Sequence, residues 1–341
     1  NPIQLLFGSF DLSFVIIYLL PLIVIAFSYN VFSSEKEYGS LKLLASQPIS
    51  IFKWALQKIG FRFFWLTLIT LIVLTFVFAM NQFDFSANFT QYIYTISLVV
   101  CYLLFWFSVV FLVNILINNS AKNAVSLLAI WVFVILIIPA VIGQLGNSFY
   151  PIPSRIKLIS EVRELKEEVS KKQDKILDNY LRDHPELAEN NQNGRYSFWH
   201  KYLASQDLME EELSPLINSY ESQLKSQQKW IQKWQYLSPA IILQQTFNSL
   251  AGTSTAHYQN YKDQVRGFSK EWRDFFTPLL YKKQLFSTEL YKKLPEFNYQ
   301  APKGFSIFIK LIILLISSIL ILVLGKWFFN NKLKKGTVIA N

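Results

Sequence analysis

The sequence has one cysteine and three histidines in 341 residues. A single Cys101 excludes a disulfide within the chain, and it falls inside an apolar run, where it reads as a small packing residue. No paired C-x-x-C and no H-E-x-x-H occurs, which removes the common zinc and metalloprotease patterns. No G-x-x-x-x-G-K-[ST] loop occurs, so the chain does not bind ATP in that way. Nothing in it reads as a cofactor or metal site. Charge is missing over long stretches. Residues 12–34 and 63–83 contain no Asp, Glu, Lys or Arg, and 85–121 and 123–154 contain none either. In 305–325 the only charge is Lys310.

A bilayer core of about 30 Å needs about 20 apolar helical residues. The uncharged runs satisfy this at about 12–33, 63–83, 92–117, 124–145 and 305–328. The predicted fold class is therefore all-α: a polytopic membrane protein with five transmembrane helices and a helical extracytoplasmic domain. The chain starts at Asn1 without a basic n-region, and is expected to lack its natural start. No acidic residue lies within the runs. Ion-coupled carriers place ionisable groups there, so a self-powered secondary transporter is disfavoured. The polar residues Asn114 and Gln144 either line a path or join helices. Pro21 and Pro139 are candidate kinks.

Charge is concentrated elsewhere, and it sets an orientation. Lys36, Lys42, Lys53, Lys58, Arg62, Lys122, Lys326, Lys332, Lys334 and Lys335 flank one end of the runs, while segments 1–11 and 81–92 carry no Lys or Arg. Basic residues stay on the cytoplasmic side. Residues 34–62 and the C-terminus are thus expected in the cytoplasm, with the start of the chain and residues 146–304 outside. A bacterial inner membrane, with those residues in the periplasm, fits a cysteine-free outer domain. The formal net charge of +10 reflects this asymmetry, so no nucleic-acid partner is expected; membrane lipids are.

In the outer block, apolar residues at helical spacing predict an amphipathic helix over 155–183, ended by His184-Pro185. A second helix is predicted from Phe198 to about Met209 and a third from Ser214-Pro215. A fourth runs from Ser238-Pro239 to Gly252, and a fifth over about 256–281.

The stretch SSEKEYGSLKLLASQPIS (33–50) lies between two spans. Ser34 and Glu37 have the spacing of a capping box. Tyr38, Leu41, Leu44 and Ala45 are predicted to form one face of a helix over 34–47. Pro48 stops that helix, and Ser50 caps the next. Glu35, Glu37, Gly39, Ser40, Leu41, Leu44, Ser46 and Pro48 match E-x-E-x-G-[TS]-L-x-x-L-x-[ST]-x-P, and so resemble the signature of ABC-2 type transporter permeases. YPIPSR (150–155) and LSPAIILQQTFNSLAGTSTAHYQNY (237–261) resemble the subfamily with a large periplasmic helical insert between its fifth and sixth spans. Members have six spans, so the first would be missing here.

The resemblance implies the permease subunit of an ATP-driven exporter that pairs with a second copy or a related permease. A separate ATP-binding subunit would grip residues 34–47 as a coupling helix, with Glu35 and Glu37 facing that subunit or its hinge. ATP hydrolysis would belong to that subunit, so this chain would not be an enzyme. The alternative is a non-transporting envelope sensor or scaffold whose outer bundle binds a partner.

Overall fold

The structure, a computed structural model, describes residues 11–48, 50–152, 154–185, 198–281, 285–302 and 307–334. Every regular element among the described residues is helical. Among the described residues, five helices are long and apolar enough to cross a membrane: Leu12–Glu37, Ile51–Met80, Phe89–Leu116, Ser120–Phe149 and Ile307–Lys332. The chain is a multi-pass membrane protein. Its contacts divide it into two units, one of residues 1–143, 233–254 and 304–341, the other of 144–232 and 255–303.

The first unit is built around the third span. Two thirds (67%) of that span's apolar window is buried, against 11–39% for the other four, so it is the axis on which the rest pack. Tyr102, Trp106, Val110 and Phe111 from it are nearly inaccessible. The fifth span lies close against it because Gly325 has no side chain. A Cβ there would meet the Phe111 ring at 3.3 Å. Such close approach at a small residue is how helices associate in lipid, where burial alone gives little drive.

Two spans contain a π-helical segment, Val15–Leu19 and Val132–Ile137. The wider turn changes which backbone donors reach which carbonyls, and side chains from other elements take up three of the acceptors. Tyr102 donates its hydroxyl to Ile17 O at 2.7 Å, and Trp131 donates its indole N–H to Tyr18 O at 3.2 Å. Ser238 donates to Val134 O at 2.7 Å. Ser238 also precedes helix Pro239–Leu250, whose Ala240, Ile242 and Leu243 belong to the same buried core as the spans. That helix ends where Gly252 turns at φ +70° and Thr253 N–H returns to Asn248 O at 2.8 Å. Glycine is the residue for this left-handed cap.

This corrects the domain boundary drawn from sequence. Residues 233–254 were expected in one continuous 146–304 domain, but their apolar face makes them part of the membrane unit. The second span's helix begins at Ile51, and Ser50 caps it as the sequence predicts, accepting from Lys53 N–H at 3.4 Å. The charged residues 53–62 lie on the helix that leads into the span.

The second unit contains helices Arg155–Lys171, Gln173–Asp183 and Thr255–Tyr281, and most of Phe198–Trp234. The predicted 155–183 helix is interrupted at Lys172. The helices predicted to end near Met209 and restart at Pro215 are one, with Pro215 inside it. A small core of Leu177, Ala204 and Tyr281 is supplemented by ion pairs. Arg273 holds both Asp207 and Glu210. Glu221, 7% exposed, takes Lys262 and Arg266. The segment before residue 303 is laid along helix Thr255–Tyr281. There Gln264 and Gln300 exchange hydrogen bonds of 2.7 and 2.9 Å, and the Trp272 indole donates to Pro295 O at 3.2 Å.

Burial pushes the Glu221 carboxyl up, but the Arg266 guanidinium and Lys262 ammonium outweigh it and hold the group below its ordinary value. A depressed folded pKa gives stability that is present above the ordinary carboxylate pKa of about 4.3 and lost as pH falls through the folded value. Glu221→Gln should therefore cost about 1–2 kcal/mol at neutral pH. The gap from wild type should close as pH falls below the carboxylate range, read by hydrogen exchange of helices 198–234 and 255–281 in the full chain. A gap independent of pH would contradict this pairing.

Candidate functional site

The 33–48 motif is realised as two short helices, Ser33–Glu37 and Ser40–Ala45, and not as the single helix predicted over 34–47. The break is Gly39, at φ +76°. An L-residue there costs about 1–2 kcal/mol, which explains a glycine at this place in the motif. The left-handed turn also splits the predicted apolar face. Leu41 is 2% exposed and Leu44 half-buried, whereas Tyr38 is 86% exposed. The Ala45 side chain lies outside the described residues. Leu43, not singled out from sequence, is 71% exposed. Ser46 donates to Leu43 O at 2.7 Å, closing the last turn, and Pro48 is exposed beyond it.

The capping box is not formed. Ser34 instead donates to Asn30 O at 2.7 Å. Its hydroxyl has that partner because the chain has just left the first span in a tight turn, which brings the Asn30 carbonyl within reach. Glu37 turns away from Ser34 and accepts from the backbone N–H and the hydroxyl of Ser120, both at 2.7 Å. It therefore caps another helix, the fourth span. A carboxylate at a helix N-terminus meets unpaired N–H groups and the positive end of the dipole. Asn119 adds the local cap by accepting from Lys122 N–H at 3.0 Å.

Glu35 also points inward. It accepts from Lys58 of the second span at 2.5 Å and from the Ser40 hydroxyl, which donates as well to Glu35 O at 3.2 Å. The Lys58 ammonium stands 4.9 Å over the Trp54 ring, a second favourable contact for the cation.

Beneath these pairs is a buried polar cluster. Asn114, 1% exposed, lies on the third span. Its amide donates to Ser28 O at 3.1 Å and Val110 O at 3.0 Å, and its carbonyl accepts from Phe32 N–H at 3.2 Å. One side chain thus spans the turn between the first span and the motif. Asn123 donates to Ser33 at 3.1 Å, and Ser33 pairs with Ser120 at 2.9 Å. On the far side, Lys332 donates to Ile115 O and Leu116 O, each at 2.8 Å, at the C-terminal end of the third span. Lys36 joins Asn118 at 2.7 Å.

The motif segment is therefore tied to the second, third and fourth spans by separate contacts. Of the motif residues named from sequence, Glu35 and Glu37 have partners on the chain's own spans, Lys58 and Ser120. Of the two roles open to Asn114, lining a path or joining helices, the structure shows the joining one. Ser120 and Asn123 were not singled out from sequence.

Asn114→Leu leaves the Phe32 N–H and the Ser28 carbonyl without this partner. It should cost about 1–3 kcal/mol, read by unfolding in mixed micelles, and should speed hydrogen exchange at Phe32. A variant as stable as wild type would contradict the role given to Asn114.

Among known proteins, the model described as "Domain of unknown function (DUF3526)" matches residues 155–300, under half of the chain. Neither a curated protein nor a solved structure matches.

Proposed function

We propose that this chain is the membrane subunit of an ATP-driven exporter of the ABC-2 type, with ATP hydrolysis on a separate subunit. The observation that carries the reading is the motif segment. It stands between two spans, is fastened to three of them from within, and presents Tyr38, Leu43 and Pro48 outward. A subunit that pressed on those residues would act on the spans through Glu35–Lys58, Asn114 and Glu37–Ser120. No Asp or Glu lies in the apolar runs 12–34, 63–83, 92–117, 124–145 and 305–328, which supports an external energy source. In this reading the segment faces the cytoplasm, as the basic residues around it favour, and the second unit lies in the periplasm. Pairing with a second copy or a related permease completes the transporter.

The geometry changes which residues are assigned to the partner. Glu35 and Glu37 hold the segment in place, and the docking surface is apolar and aromatic. Leu43→Glu should abolish co-purification of the ATPase subunit while leaving membrane insertion and thermal stability unchanged, because Leu43 is exposed. Glu37→Gln should keep the partner bound and weaken the coupling of its ATPase to transport. If no ATPase associates with the wild-type chain, or if Leu43→Glu binds it as well as wild type, the reading is wrong.

A further inference from the structure

The second span is longer than a bilayer needs. Its 30 residues extend about 45 Å at 1.5 Å per residue, against a hydrocarbon core of about 30 Å. The charged residues Lys53, Lys58 and Arg62 all lie in its first half, so those turns belong to the headgroup layer. There, an open cleft of about 600 Å3 is lined by Glu35, Trp54, Gln57, Lys58, Phe61 and Arg62. The five helix residues recur at three- and four-residue steps, so they share one face. Phe61 is 65% exposed and packs edge-on against Trp65, at 6.2 Å between ring centres. Arg62 gives one of its N–H groups to Phe27 O. A guanidinium has five, and this anchor fixes the plane of the fork at the cleft.

We propose that this cleft binds the phosphodiester headgroup of an anionic membrane lipid. Lys58 and Arg62 supply the positive charge, one as a point cation and one as a planar fork. Trp54 and Phe61 supply the amphipathic rings that sit at headgroup depth. Two cations against one carboxylate leave the cleft with net positive charge, complementary to a phosphodiester. The carboxylate is Glu35, already paired with Lys58. Lipid phosphate and Glu35 therefore compete for the same ammonium. Headgroup binding loosens the tie between the motif segment and the second span, making that tie sensitive to the lipid around it. The site itself rests only on the chain crossing a membrane, and it stands or falls separately from the transport reading.

The test uses the purified full chain in micelles, with phosphatidylglycerol and phosphatidylcholine of identical acyl chains as probes and bound lipid counted by native mass spectrometry. Phosphatidylglycerol should bind selectively. At about 1 kcal/mol per basic residue near the headgroups, Lys58→Gln and Arg62→Gln should each weaken it about fivefold. Lys53→Gln, outside the cleft, should not. Glu35→Gln should tighten binding, which loss of a merely structural residue would not do. Should the glutamine variants fold poorly, the charge-keeping pair Lys58→Arg and Arg62→Lys must still prefer phosphatidylglycerol. Equal binding of the two lipids would overturn the proposal. So would equal harm from Lys53→Gln, or full displacement by millimolar inorganic phosphate, which would mark a simple anion site.

Discussion

Backbone that leaves a helix inside a membrane protein cannot turn to water for its hydrogen bonds. This constraint organises the end of the first unit where the motif sits. After Ser28 the helix of the first span is interrupted, and the chain turns through residues 29–32 before helix resumes at Ser33–Glu37. Asn114, an amide with one acceptor and a two-hydrogen donor, bridges that turn from Ser28 O to Phe32 N–H. It does what one more turn of backbone would have done. The motif can then leave the line of the first span without stranding polar groups, and every contact above it depends on that placement.

From there the residues divide their tasks by chemistry. Carboxylates, hydroxyls and amides face the spans, where partners are fixed: Glu37 on Ser120, Glu35 on Lys58 and Ser40, Asn123 on Ser33. Gly39 supplies the left-handed turn that points Tyr38 outward and Leu41 inward. The surface left for another molecule includes Tyr38 and Leu43, with Ser46, Gln47 and Pro48 beyond. A short helix pair of this size would not be stable alone, since nucleating a helix is costly; its order comes from the body it is fastened to. The same body shows a second means of holding irregular backbone, in the π segments whose carbonyls are taken by Tyr102, Trp131 and Ser238.

Much of the architecture was legible because lipid demands a simple pattern. Four charge-free runs and a fifth broken by Lys310 identified five spans, and proline and glycine marked helix Pro239–Leu250 at both ends. Three things were not legible. The capping box failed because Ser34 bonds back to Asn30 O, four residues earlier, and Glu37 has a partner 83 residues away in Ser120. Pro215 was read as a helix start, yet the helix runs through it; one proline's local preference was overridden by the chain around it. Helix Pro239–Leu250 was assigned by sequence position to the outer block, although Ala240, Ile242 and Leu243 bury with the spans. The contacts of Glu37 with Ser120 and of Ala240, Ile242 and Leu243 with the spans join residues far apart in the chain, which periodicity and local propensity do not record.

The central claim is that the motif segment is built into the membrane body and is not a free loop between spans. Hydrogen–deuterium exchange of the full chain in micelles measures this directly over residues 32–38. The account predicts slow exchange at Phe32, Lys36 and Tyr38, comparable to the adjoining ends of the spans. Exchange of those amides at the rate of an unstructured peptide would contradict it.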